Sequence, residues 1–253
     1  MRGSPDLVLA VLHWIEYLGV LGALGAIVIR RLASNRPEIH WARPPMHIAL
    51  AIAFLGGLAV VTVEGFHGVS VLGGMRVERV LAEGLAFAFC IRGVSLVAPA
   101  AALAAALLPF SGHASAVEPA AGAVLADGLH VLSAGMWAGG ILALATLRPP
   151  DGWGGAEART LLDRFAGVAL IAFAMTALTG VLRATEQVHG VGDLWQTSYG
   201  VVLSLKTAGV GIMLALSALA WRRGLPVAKV EAALTVLVVG LTAVLAAFPT
   251  NPA

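Results

Sequence analysis

The chain has 253 residues, 59% of them hydrophobic and only 12% charged, and its mean hydropathy is +0.90. A soluble domain of that length carries about twice the charged fraction, so the composition excludes an ordinary soluble fold and leaves no room for a separate soluble domain of usual size. The net charge of +2 and the pI of 9.1 do not point to nucleic acid, because the basic residues stand at the ends of apolar segments without interleaved aromatics.

The expected fold is an all-α, polytopic transmembrane helix bundle. The first apolar segment, 7–29, lacks the cleavage site of a signal peptide and is expected to remain as a membrane helix. Arg30, Arg31, Arg36 and Arg43 follow, with Pro37, Pro44 and Pro45 breaking the helix. A second span is expected over 46–64, ending in Glu64-Gly-Phe-His67 before a glycine-rich loop. Residues 77–91 are apolar but hold Glu78, Arg79 and Glu83, charges that a tilted helix, a thinned bilayer or the bundle interior would have to accommodate. Arg92-Gly93 then marks a turn, and 94–110 is cleanly apolar. Past Ser111-Gly-His113-Ala, the fifth span is read from Asp127 through Leu147. Residues 148–164 read as a polar loop, 165–182 as the sixth span, and Glu186, His189, Asp193 and Trp195 as the next loop. Spans over 199–221 and 230–248 complete a set of eight.

Arginine and lysine cluster in 30–45, 148–164 and 222–229, whereas 111–127 and 184–198 contain neither. Basic loops stay on the cytoplasmic side, so both termini are expected outside. That topology requires residues 76–110 to cross twice. An internal repeat agrees with it. Leu12-His13 matches Leu129-His130, Gly22 then falls on Gly139, Glu64-x-x-His67 parallels Glu186-x-x-His189, and Arg92-Gly93 parallels Arg223-Gly224. Two four-span units, 1–112 and 113–253, are therefore expected within one membrane domain.

The candidate chemistry lies in histidines and acids. His13 with Glu16, Glu64 with His67, Asp127 with His130, and Glu186 with His189 share an i, i+3 spacing, which puts both side chains on one helix face. In the eight-span arrangement all four pairs and His113 lie at the outer side. Carboxylate plus neutral imidazole suits a transition metal, and Glu-x-x-His on facing helices builds di-metal sites in bundles. The expected metal-binding set is thus His13, Glu64, His67, His113, Asp127, His130, Glu186 and His189. The plainer alternative is a series of interfacial side chains bonded to neighbours. Glu16, Met136, Trp137, Lys206 and Glu231 form an outer circle of relay or supporting residues, and Lys206 either pairs with Glu231 or extends its amine to the interface. Gly19, Gly22 and Gly25, with Gly139-Gly140, read as close helix contacts. The one cysteine, Cys90, excludes an intrachain disulfide and a thiolate cage.

In order, Ser111-Gly-His113-Ala, Asp127-x-x-His130 with Trp137-x-Gly139-Gly140, Arg164-Phe165, Thr179-Gly180, Asp193-Leu194 with Thr197-Ser-Tyr199-Gly200, Lys206, and Val230-Glu231 with Pro249 resemble the copper resistance protein D family. The resemblance covers about residues 111–250, and the first half resembles it more loosely through Leu12-His13-Trp14. It implies a bacterial inner-membrane protein that handles copper, moving it inward from the periplasm, often beside a soluble periplasmic copper carrier. Only His13, His113 and His130 carry over as motif positions.

The functional expectation is a copper-binding transporter rather than an enzyme, embedded in the lipid bilayer, with copper valence and homo-oligomer formation open. The alternatives are a membrane oxidoreductase with a fixed di-metal or haem centre on the same histidines, and a sensing subunit whose histidines titrate near neutral pH.

Overall fold

The computed structural model describes residues 4–70, 75–111, 120–188, 190–223 and 228–248. Among these residues the regular structure is entirely helical: α1 (Leu7–Ala33), α2 (Met46–Phe66), α3 (Arg76–Arg92), α4 (Val97–Leu107), α5 (Ala120–Ala145), α6 (Ala156–Gln187), the short α7 (Asp193–Gln196), α8 (Ser198–Arg223) and α9 (Ala228–Ala246), with a 3-10 turn over Leu108–Ser111. Six of them, α1, α2, α5, α6, α8 and α9, are long and apolar enough to cross a membrane. At 17 and 11 residues, α3 and α4 run about 25 Å and 16 Å, short of the ~30 Å hydrocarbon core. The expected fourth span is broken: residues 94–96 belong to the turn, and Pro109 stands in the 3-10 segment after α4.

Local chemistry explains the helix ends. Asp6 starts α1 by accepting from the backbone N–H groups of Val8 and Leu9, donors that a helix start leaves open. Gly93 ends α3 at φ 67°, with the Val94 N–H reaching back to the Phe89 carbonyl, a helix termination in which glycine avoids the left-handed penalty. This is the turn expected at Arg92-Gly93. α6 starts well before the expected sixth span, within the segment read as a polar loop. Arg164 explains the extension: its guanidinium donates to the carbonyls of Leu32, Asn35 and Pro37, joining the first turns of α6 to the end of α1.

Helices α1 and α5 form the centre. α1 packs against α2, α5, α9 and α4, and α5 packs against α1, α6, α9 and α4. Their contact is backbone on backbone. A Cβ at Gly25 would overlap Gly139 and Gly140, and one at Gly139 would overlap the Leu21 carbonyl. Gly19 makes the equivalent approach to Ala53 of α2, while Gly140 leaves room for the Phe165 ring. The small-residue pattern therefore serves packing.

Cross-links between helices define the two ends of the bundle. At one end the Asp6 N–H donates to the Ala247 carbonyl, Asp6 faces His67 at 3.7 Å, Arg76 binds Glu64, Arg183 binds Asp127, and Tyr199 meets Phe248 edge to face. The starts of α1, α3, α5 and α8 and the ends of α2, α6 and α9 meet there. Residues Asp6 and Phe248 thus share an end. At the other end Arg30 donates to the Pro44 carbonyl, and Trp41 packs on Trp153 and donates to Glu157. Arg148 and Lys229 flank a common hollow there, so the basic segments gather at this second end.

Candidate functional site

Two polar sites occupy the acid-histidine half of the bundle. The first is built on α5. His130 Nδ1 lies 3.0 Å from the Thr179 hydroxyl of α6. That hydroxyl has a single proton, and it points back to the Met175 carbonyl one turn earlier, at 2.7 Å. With that proton on the carbonyl, the Thr179 oxygen can accept from His130 in the tautomer that carries its hydrogen on Nδ1. In that tautomer the other ring nitrogen, Nε2, keeps its lone pair, which is the form of histidine that binds a metal. A Cβ at Gly180 would stand 3.3 Å from His130 Cε1, so the glycine gives the ring its space. One turn deeper, Ser133 and Thr176 bond across the same helix pair at 2.8 Å.

The acid of this site is already occupied. Arg183 Nε lies 2.6 Å from Asp127 Oδ1, with the two side chains 15% and 26% exposed. Lys206 of α8 acts electrostatically on both His130 and Asp127. The local charge is therefore one acid against two bases, not an anionic cage. Glu231 lies elsewhere: it accepts from Ser217, three turns further along α8 than Lys206, about 16 Å. An intramembrane Lys206–Glu231 pair is thus not formed.

The second site lies in the first half. His13 Nδ1 faces Glu16 Oε2 at 3.3 Å, and its ring stacks on Tyr17. Glu16 is completely buried and pairs through Oε1 with Arg79 Nε at 3.0 Å. Arg79 and Glu83 are each 1% exposed, whereas Glu78 is exposed. Of the awkward charges in α3, two are thus placed inside the bundle and one outside.

Of the expected i, i+3 pairs, only His13 with Glu16 is a direct contact. Glu64 turns to Arg76 at 2.8 Å, His67 faces Asp6, and Asp127 turns to Arg183. In each described pair an arginine holds the acid. The expectation overlooked Arg76 and Arg183, and it named Arg79 only as a charge to accommodate; the signal is a basic residue at the edge of an apolar segment where no cytoplasmic loop is expected. Among the described residues, no three His, Cys, Asp or Glu side chains converge as a metal cluster. His113 and His189 lie outside the described residues, as does the Glu186 side chain. Met136 is 38% exposed on the outer surface, and Trp137 is buried edge to face against Phe173.

Comparison with known proteins follows the same division of the chain. Residues 159–245 match the family model described as Copper resistance protein D. The chain is also 34% identical over 119 residues to the Copper transport protein CutJ of Bacillus subtilis (strain 168), an alignment covering 44% of this chain. The aligned part amounts to only 21% of that relative's length. No solved structure matches. Thr179 and Gly180, which position His130, fall inside the matched segment, as do Arg164 and Phe165, which dock α6 against α1 and α5. Residues 159–245 are thus similar to the copper resistance protein D family, and the chain shares 34% identity with a copper transport protein over part of its length.

Proposed function

We propose that this protein takes up copper at its acid-histidine end and passes it across a bacterial inner membrane. His130 is the receiving ligand, and the observation that carries the reading is its contact with Thr179, which in the Nδ1–H tautomer leaves Nε2 as the free donor. Arg183 and Lys206 keep the surroundings from becoming anionic, so the ion is held loosely. A conduit needs that quality, because binding must be strong enough to admit an ion and weak enough to release it. His67, half exposed at the same end, is a first contact for arriving copper. His113, Glu186 and His189 complete the outer set, and a soluble periplasmic carrier would deliver the ion there.

In this reading the basic end faces the cytoplasm and both termini face the periplasm. The chain crosses eight times, as units 1–112 and 113–253, with α3 and α4 as two short passages that turn at Arg92-Gly93 where the bilayer thins around them. The equivalent central places of α1 and α5 support the two-unit plan. A negative-inside potential favours inward movement of a cation by about 2.3 kcal/mol per charge per 100 mV.

The test is copper entry into proteoliposomes loaded with a copper-sensitive dye. The wild-type protein should admit copper, faster with an inside-negative potential, and His130→Ala should lose most of that flux. Equal flux in both would remove His130 from the path, and no flux above empty vesicles would overturn the transport reading.

A further inference from the structure

The first-half site has a feature that copper handling does not use. Glu83 is 1% exposed, and neither of its carboxylate oxygens meets a hydrogen-bond donor among the described residues. What it meets is a second buried acid. A Cβ on Gly57 would overlap Glu83 Oε2 and stand 3.1 Å from Glu16 Oε1, so the two carboxyl groups share the space above that glycine. Among the described residues, the positive charge at the pair is Arg79, bound to Glu16. One guanidinium and two carboxylates leave a net negative charge where almost no surface reaches solvent.

An uncompensated charge buried this way costs several kcal/mol, and two ionised acids do not remain face to face. Something positive must join them. A metal ion is disfavoured by the guanidinium already in place. A hydrated cation also lacks room: the cavity beside Glu83, walled by Val20, Leu50, Ala53, Ala86 and Ala101, offers about 10 Å³ to water-sized molecules, on the order of one water and too little for an ion with its shell. A proton needs no room at all.

We propose that Glu16 and Glu83 form a proton-binding site that holds one proton between them and exchanges it with the outer end through His13. Among the described residues, the groups facing the pair are Arg79 from α3 and His13 and Tyr17 from α1, while α2 contributes Gly56 and Gly57, and α4 contributes alanines. His13 Nδ1 stands 3.3 Å from Glu16 Oε2, and the histidine side chain is 12% exposed, which gives a continuous path from Glu83 through Glu16 to the edge of the bundle. A proton leaving along it restores the second carboxylate. Buried acids and histidines in series are how membrane proteins relay protons. The site lies outside the matched segment 159–245 and requires no copper.

Infrared spectroscopy of the full chain in lipid vesicles tests this directly. At neutral pH the wild-type protein should show the carbonyl stretch of a protonated carboxylic acid, shifting in D2O. Glu83→Gln and Glu16→Gln should each remove that band, and Glu83→Asp should move it. Because glutamine resembles a protonated glutamate, Glu83→Gln should keep the wild-type thermal midpoint. His13→Phe, which preserves stacking on Tyr17, should keep the band but slow its deuterium exchange several-fold. A wild-type spectrum without the band at neutral pH overturns the proposal whether or not any variant assembles. A band unchanged in both glutamine variants overturns it equally.

Discussion

Replacing Gly139 by alanine tests how the centre of the bundle is held together. The new methyl would meet the Leu21 carbonyl of α1, which is backbone and has no rotamer through which to retreat. Overpacking of this kind costs about 1–3 kcal/mol, and a backbone obstacle places it at the upper end. Alanine recovers about 1 kcal/mol of helix propensity over glycine. The expected net loss is about 2 kcal/mol, a roughly 30-fold shift toward the unfolded state. Gly128 on the same helix is the control, because nothing lies within 4 Å of a Cβ placed there. Gly128→Ala should gain up to about 1 kcal/mol. Denaturant unfolding in mild detergent, followed by fluorescence of the buried Trp137, would separate the two. If both substitutions moved the midpoint in the same direction, the α1–α5 contact would not be the close approach described here.

Other predictions follow from named bonds. Thr179→Val removes the acceptor that orients His130; it should lower stability by only about 1 kcal/mol while weakening copper retention about 10–100-fold, measured by competition with a chelator. Arg164→Ala strands three carbonyls at the end of α1 and should cost about 2 kcal/mol in the same unfolding assay; Arg164→Lys should recover only part, since an ammonium lacks the planar fork. Asp127→Asn and Arg183→Gln should each destabilise, and the double variant should lose less than the sum, with a coupling of about 1 kcal/mol that shrinks at high salt.

Much of the fold was legible because membrane helices advertise themselves locally. The uninterrupted apolar runs at 7–29 and 46–64 became α1 and α2 almost without adjustment, and the proline and glycine signals at Pro44-Pro45 and Gly93 marked real helix ends. The early start of α6 was hidden, because residues 156–164 look like a polar loop until Arg164 is seen capping a helix 130 residues earlier in the chain. The α3–α4 hairpin was readable as a problem, since three charges in fifteen apolar residues had to go somewhere. Its solution needed the structure, because Arg79 meets Glu16 only through the packing of α3 near α1 and α2.

The candidate site divides in the same way. Residue type and i, i+3 spacing identified His13, Glu16, Asp127 and His130, which the structure places in two polar sites. Spacing along one helix could not show that a partner from another helix would take the acid. Arg183 claims Asp127, Arg76 claims Glu64, and the two hydroxyl-bearing residues Thr176 and Thr179 replace acids around His130 and Ser133. These are contacts across the bundle, set by where α6 and α3 lie rather than by any local pattern.

Copper binding at His130 is the proposal on which the rest of the functional reading depends. Metal content and the absorption spectrum of the detergent-purified protein, beside His130→Ala, test it most directly. Copper bound by the wild-type protein, reduced in the variant and accompanied by no haem band, is the predicted result. A Soret band, tightly held iron, or copper retained equally by both proteins would contradict it.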